Sequence, residues 1–182
     1  MALSTTRYDI EELFYHFNSS LPSAYSHIKG SPIAPSIMGQ AYLYQLSNGV
    51  YITVIVTGIP TTNSKGVYTQ FHGFHIHDKD SCEIGDESNP FIGAGGHWNP
   101  KNTPHPNHVG DLPPLLAPNG TAMLSVYTPN FTVREAIGKT FIIHEGIDDF
   151  STQPAGNSGQ RLACGIIRPY INPDILPQSR KA

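Results

Sequence analysis

Two periodicities divide the chain. From Tyr8 to Asn18 the apolar residues Ile10, Leu13, Phe14 and Phe17 recur at helical spacing, and Thr6 with Asp9 can cap the start. This predicts a short amphipathic helix, broken by the stretch from Ser19 to Ser23. From residue 24 the period falls to two. Ala24 to Lys29 predicts a strand, and Gly30 to Ser36 a loop. Gln40 to Leu46 and Val50 to Val56 predict a hairpin, with Asn48-Gly49 supplying the positive φ angles of its tight turn. Gly58-Ile59-Pro60 ends the second of these strands. Tyr68 to Asp78, Thr121 to Tyr127, Lys139 to His144 and Leu162 to Arg168 read as further strands. Two long segments rich in Gly, Pro and Asn lie between them, His77 to Leu112 and Glu145 to Gly159. Loops of that length inside a compact domain are usually functional or disordered, and these carry His, Asp, Cys and Arg, which favours function. The pattern is that of an all-β domain over residues 24–182, preceded by a helical extension over 1–23, with no internal repeat.

Composition agrees with short strands and many turns: 17 Gly and 16 Pro in 182 residues, a length that suits one domain with a sizeable core. A net charge of only −3 with no basic tract argues against nucleic acid, and no apolar run reaches the length of a membrane span. The opening Met1-Ala2-Leu3-Ser4-Thr5-Thr6-Arg7 lacks the charged-then-apolar pattern of a secretion signal. The expected location is therefore cytoplasmic, with an exported or cell-surface protein as the alternative. The two cysteines, Cys82 and Cys164, are far apart. They are either unrelated thiols of a reducing compartment or a disulfide tying a loop to the last strand, and composition leaves both open.

Histidine changes the picture. Of nine, seven lie between His72 and His144. In Gly73-Phe74-His75-Ile76-His77 two imidazoles one residue apart project from the same face of a strand, half of a metal site. His72 falls on the opposite alternation and is expected to hold backbone by a hydrogen bond. The remaining candidates, in order, are His97, His105, His108, Asp111 and His144. Imidazole suits both copper and zinc, and a set without cysteine is a poor fit to a Cys-based zinc finger. This many donors are used comfortably by two metals with one shared ligand. Any single histidine is more often a surface or core residue than a ligand, but seven in one region, two of them in a strand, are not independent draws.

Five motifs now fall into one order: Phe71-His72-Gly73-Phe74-His75-Ile76-His77, Gly95-Gly96-His97-Trp98-Asn99-Pro100, His108-Val109-Gly110-Asp111-Leu112, Ile143-His144-Glu145, and Gly156-Asn157-Ser158-Gly159-Gln160-Arg161-Leu162-Ala163-Cys164-Gly165. Together they closely resemble the copper/zinc superoxide dismutase family over about residues 24 to 169. The resemblance implies a Greek-key β-barrel or sandwich of about eight antiparallel strands with two long functional loops. It implies that His75, His77, His97 and His144 bind copper, and that His97 bridges to a zinc completed by His105, His108 and Asp111. It further implies that Asp148, rather than Asp149, hydrogen-bonds one ligand of each metal, that Arg161 stands beside the copper channel, and that Cys82 and Cys164 form a disulfide. The substrate implied is the superoxide anion, converted to O2 and hydrogen peroxide.

The chain departs from the pattern in three places. Only Pro106 and Asn107 separate His105 from His108, where animal members have a longer segment. The loop from Glu145 to Gln160 is short and has no lysine, so guidance of the anion rests largely on Arg161. The interval from Cys82 to His97 is longer than in animal members and looks bacterial, so a homodimer is possible but its arrangement does not transfer. The alternative to an enzyme is a non-catalytic copper- and zinc-binding protein on the same fold. A β-sandwich interaction module with incidental histidines would instead be indifferent to metal removal.

Overall fold

The structure is a computed structural model that describes residues 21–172. The helix expected from Tyr8 to Asn18 lies outside the described residues, as does most of the extension over 1–23. Twelve strands follow in chain order: β1 (Ala24–Gly30), β2 (Met38–Leu46), β3 (Gly49–Thr57), β4 (Phe71–His72), β5 (Phe74–His77), β6 (Gly85–Asp86), β7 (Asn89–Pro90), β8 (Leu115–Leu116), β9 (Ala122–Thr128), β10 (Thr140–His144), β11 (Arg161–Ile166) and β12 (Arg168–Pro169). One antiparallel sheet runs β5-β10-β11-β1-β2-β3-β9, with β12 also beside β1. β4 leads directly into β5 and pairs with β8, which packs against β9, so the two ends of the sheet are drawn together into a barrel. β1 to β3 form a meander. The connections from β3 to β4 and from β9 to β10 instead join strands that are not neighbours, the crossing pattern of a Greek key.

Alternation explains the interior. Inward residues of β1 to β3, among them Ile28, Leu43, Ile52 and Val54, meet Phe74, Ile76, Phe141 and Ile143 in one apolar core. The Phe74 and Phe141 rings stack with centroids 5.1 Å apart. Each such side chain contributes roughly 1.5–3 kcal/mol by leaving water. β5 and β10 are buried on both faces. Phe74 and Ile76 take the core face, and His75 and His77 take the other, which the long loops cover.

The structure corrects the expected elements in three places. The hairpin pairs from Met38↔Thr57 to Leu46↔Gly49, so the turn is Ser47-Asn48, and neither Asn48 nor Gly49 is among the residues with positive φ. Gly49 serves a close approach instead: a Cβ there would lie 2.5 Å from the Thr128 carbonyl oxygen. The strand expected from Tyr68 to Asp78 is shorter and breaks at Gly73. The Gly73 amide donates to the Gly146 carbonyl (2.7 Å) and its carbonyl accepts from the His144 amide (2.8 Å), turning the backbone out of the ladder. A one-turn helix, α1 (Val133–Ala136), was not expected, although its capping box is written in Thr132-Val133-Arg134-Glu135. The Thr132 amide donates to Glu135 Oε2 (2.7 Å) and the Thr132 hydroxyl accepts from the Glu135 amide.

The question left open by the cysteines is resolved: Cys82 and Cys164 are disulfide-bonded. The bridge fastens the interval after β5 to β11, where Ile84, Phe91, Ala94 and Ile142 pack around it.

Candidate metal centre

β5 is at the end of the sheet path, so one of its edges is free of a regular strand partner. That edge recruits two loop segments. The Ile76 amide donates to the Gly110 carbonyl and the Trp98 amide donates to the Ile76 carbonyl, both at 2.8 Å. Isolated bridges place His75 opposite Asp111 and His77 opposite His97. Gly110 is required here, because a Cβ would lie 2.2 Å from the Ile76 carbonyl oxygen. Trp98, buried against Phe131 with ring centroids 5.1 Å apart, anchors the segment in the core. Asn99 closes the turn that follows, donating to the Thr103 carbonyl and accepting from the Thr103 amide. Two motifs are thus drawn to the free edge of β5, while the motifs around His144 and Arg161 reach the centre from β10, on its other edge, and from β11 beyond it.

His75, His77, His97 and His144 form a first group whose ligand atoms all lie within 4.8 Å of one another. Each ring has one nitrogen fixed away from the group's centre: His75 Nε2 by Asp148 (2.8 Å), His77 Nδ1 by the Gly95 carbonyl (2.9 Å), His97 Nδ1 by Asp111 (2.7 Å) and His144 Nδ1 by the Gly159 carbonyl (3.3 Å). The nitrogens left over turn inward. His77 Nε2 and His144 Nε2 face each other at 3.3 Å, while His75 Nδ1 and His97 Nε2 are buried with no hydrogen-bond partner. Buried polar atoms are normally satisfied. Four converging nitrogens, two of them orphaned, fit a cation that accepts lone pairs.

His97, His105, His108 and Asp111 form a second group, again within 4.8 Å. His97 Nδ1 lies 2.7 Å from Asp111 Oδ1, and His105 Nδ1 and His108 Nδ1 lie 3.1 and 3.2 Å from Asp111 Oδ2. Three imidazoles and a carboxylate are a donor set that zinc accepts. His97 belongs to both groups, offering Nε2 to the first and Nδ1 to the second. Asp148, 1% exposed, joins them from behind: Oδ2 meets His75 Nε2 at 2.8 Å and Oδ1 meets His105 Nε2 at 2.9 Å. Asp149 instead caps its own turn, accepting from the Ser151 and Thr152 amides and both hydroxyls.

Electrostatics agrees with ligand duty. Burial pushes the pKa of His75 down and those of His77 and His144 well below the ordinary imidazole range, so these rings are neutral with lone pairs available. Burial pushes Asp111 and Asp148 up, but their hydrogen bonds outweigh it and hold both below the usual carboxylate range. The leading bonds come from His97 and the His108 amide at Asp111, and from His75, the Phe150 amide and His105 at Asp148. The Arg161 guanidinium donates to the Phe91 and Gly95 carbonyls. Its charge is close enough to add to the lowering at His77 and His144. A cleft of about 220 Å³ lined by His144, Gln153, Asn157 and Ser158 opens beside the first group.

The structure brings His75, His77, His97, His105, His108, Asp111, His144 and Asp148 together at this centre, sets Arg161 against the Gly95 carbonyl beside it, and places Cys82 and Cys164 apart from it, while the expected hydrogen bond of His72 is found with its Nδ1 at 3.1 Å from the His144 carbonyl. Sequence reasoning missed the two carbonyls that hold Arg161, and it missed Gln153, which grips the backbone of His105. No local motif announces these contacts, because they join segments distant in sequence.

Comparison with known proteins bears on the same residues. The profile of the copper/zinc superoxide dismutase family (SODC) matches residues 37–167. Superoxide dismutase [Cu-Zn] of Haemophilus parainfluenzae is 33% identical, with 82% of this chain and 91% of that protein covered. The enzyme of the same name from Actinobacillus pleuropneumoniae is 38% identical over 122 residues, covering 59% of this chain. That match spans 64% of the Actinobacillus protein, and the match to the Haemophilus ducreyi protein spans 56% of its length. Among solved structures, the Cu/Zn superoxide dismutase from Brucella abortus superposes with a TM-score of 0.64 at 28% identity, covering 79% of this chain and 98% of that one. A double mutant of a SOD-like protein from Bacillus subtilis gives 0.62 at 30%, covering 78% and 95%. With a profile spanning most of the described barrel and both histidine groups inside it, this chain belongs to the copper/zinc superoxide dismutase family.

Proposed function

We propose that this chain dismutates superoxide, two superoxide anions and two protons giving O2 and hydrogen peroxide. The observation that carries the reading is the pair of orphaned buried nitrogens, His75 Nδ1 and His97 Nε2, converging with His77 Nε2 and His144 Nε2. These four would hold copper, and His97, His105, His108 and Asp111 would hold zinc. When bound, copper supplies one-electron chemistry between Cu(II) and Cu(I), while zinc keeps its oxidation state. The chain's own part is to position, attract and protonate. Asp148 and the Gly95 and Gly159 carbonyls fix the ring orientations. His97 Nε2, when it carries a proton, is placed to give it to the departing peroxide.

With a net charge of −3, attraction of an anion has to be local. Arg161 provides it, its charge close enough to act on His77 and His144, while the loop side chains that line the cleft at His144 are neutral. Replacing Arg161 with alanine is expected to lower the second-order rate about tenfold or more at low ionic strength and to flatten its salt dependence. Copper content should be unchanged by elemental analysis; loss of copper instead would mean that Arg161 builds the site rather than serving it.

The test of the function is the rate of superoxide decay per bound copper, on protein reconstituted with one copper and one zinc and followed by pulse radiolysis. A rate near the diffusional range of about 10⁸–10⁹ M⁻¹s⁻¹ is expected. A negligible rate with both metals bound would refute the enzyme reading.

A further inference from the structure

The shortest stretch of the centre is also the one with the most unusual support. Only Pro106 and Asn107 separate His105 from His108, so the segment itself has little length with which to fix the His105 backbone. The structure shows where the fixing comes from. Gln153, on the loop that also carries Asp148, accepts from the His105 amide through Oε1 at 2.9 Å and donates through Nε2 to the His105 carbonyl at 2.7 Å. One carboxamide thereby satisfies both main-chain groups of a residue that is 3% exposed, as a neighbouring strand would. The same loop holds the other end of the residue, since Asp148 Oδ1 meets His105 Nε2 at 2.9 Å. His105 is held at ring and backbone by one loop, leaving Nδ1 as its only ring atom free to act as a ligand.

We infer that Gln153 is a positioning residue for zinc, acting through the backbone of His105 to preset the second histidine group before a metal arrives. This deepens the zinc assignment proposed above and rests on it. Alanine at 153 would leave the buried His105 amide and carbonyl without partners and let Nδ1 wander from the other three donors. Partners that orient metal ligands without touching the metal are typically worth 10–100-fold in affinity.

The experiment measures zinc affinity of the metal-free full chain by competition with a chromophoric chelator, with cobalt as a spectroscopic stand-in. Gln153→Ala is expected to weaken zinc about 10–100-fold and to change the cobalt absorption bands. Thr152→Val is the control: it removes the Thr152 hydroxyl's bond to Asp149, loosening the same loop without touching His105. It should weaken zinc by less than about threefold, since it leaves every partner of the ligands in place. Equal losses in the two variants would reduce Gln153 to a contributor to loop stability and overturn the inference, as would unchanged zinc affinity in Gln153→Ala. If the alanine variant fails to fold, Gln153→Glu keeps the volume and the acceptor but removes the donor, and zinc affinity equal to wild type would sink the idea. A wild-type chain that binds no zinc, or that binds it as tightly after Asp111→Ala, would bring down the zinc assignment itself, an outcome separate from either variant's.

Discussion

Replacing His97 with alanine is expected to strip the protein of function by damaging both metal sites at once. The ring is the one donor common to the two groups, presenting Nε2 to His75, His77 and His144 and Nδ1 to His105, His108 and Asp111. Alanine leaves three donors on each side and opens a gap where the imidazole stood. Losing a mere supporting partner typically costs 10–100-fold in metal affinity, so losing a ligand should cost more than about 100-fold for each metal. Turnover per protein should then fall by several orders of magnitude. The check is equilibrium dialysis against each metal separately. Unchanged zinc retention would show that the shared-ring assignment is wrong. The fold should survive, because His97 lies outside the apolar core that Trp98 anchors.

Removing the disulfide, by Cys82→Ser together with Cys164→Ser, is expected to produce the largest loss of stability. The bridge closes a sequence separation of 82 residues. In the chain-entropy description such a loop restrains the unfolded chain by about 4–5 kcal/mol, a large share of the total stability of a domain this size. Urea unfolding of the metal-free protein measures it directly, and a loss below about 1 kcal/mol would show that the bridge constrains little in this context. A second effect should appear in the folded protein. The bridged interval presents the Phe91 and Gly95 carbonyls that hold Arg161, and Gly95 also fixes His77 Nδ1. Freed from its anchor to β11, this interval should let Arg161 drift, and turnover should drop before unfolding begins.

How much of this was legible in the sequence depended on the range over which each signal acts. The alternation of β1, β2, β3 and β9 could be read because apolar residues of period two must face one core, whereas β10, buried on both faces, shows as a short apolar run. His75 and His77 could be read for the same reason. The break at Gly73 could not, since it arises from backbone bonds to Gly146 and His144, more than seventy residues away. The hairpin turn was misplaced by one residue because Asn-Gly is a strong local signal, whereas Gly49 answers to a steric demand from Thr128 on another strand. The donors of the two groups were legible through motif resemblance, and Asp148 was separated from Asp149 the same way. Gln153 left no trace of this kind, because a glutamine in a polar loop has no pattern until the loop's path brings it to His105. The capping box at Thr132 was legible and simply short, a single turn that periodicity does not register.

The ring of His97, shared between the two groups, has a thermodynamic consequence. Whatever occupies one group fixes the protonation and orientation of an imidazole that the other group needs. The four states of the centre (empty, filled on one side, filled on the other, filled on both) close a cycle, and the free-energy change around it is zero. The factor by which zinc alters the affinity for copper must therefore equal the factor by which copper alters the affinity for zinc. Neither binding constant is a property of its own site, and an affinity quoted for one metal has meaning only with the occupancy of the other stated beside it.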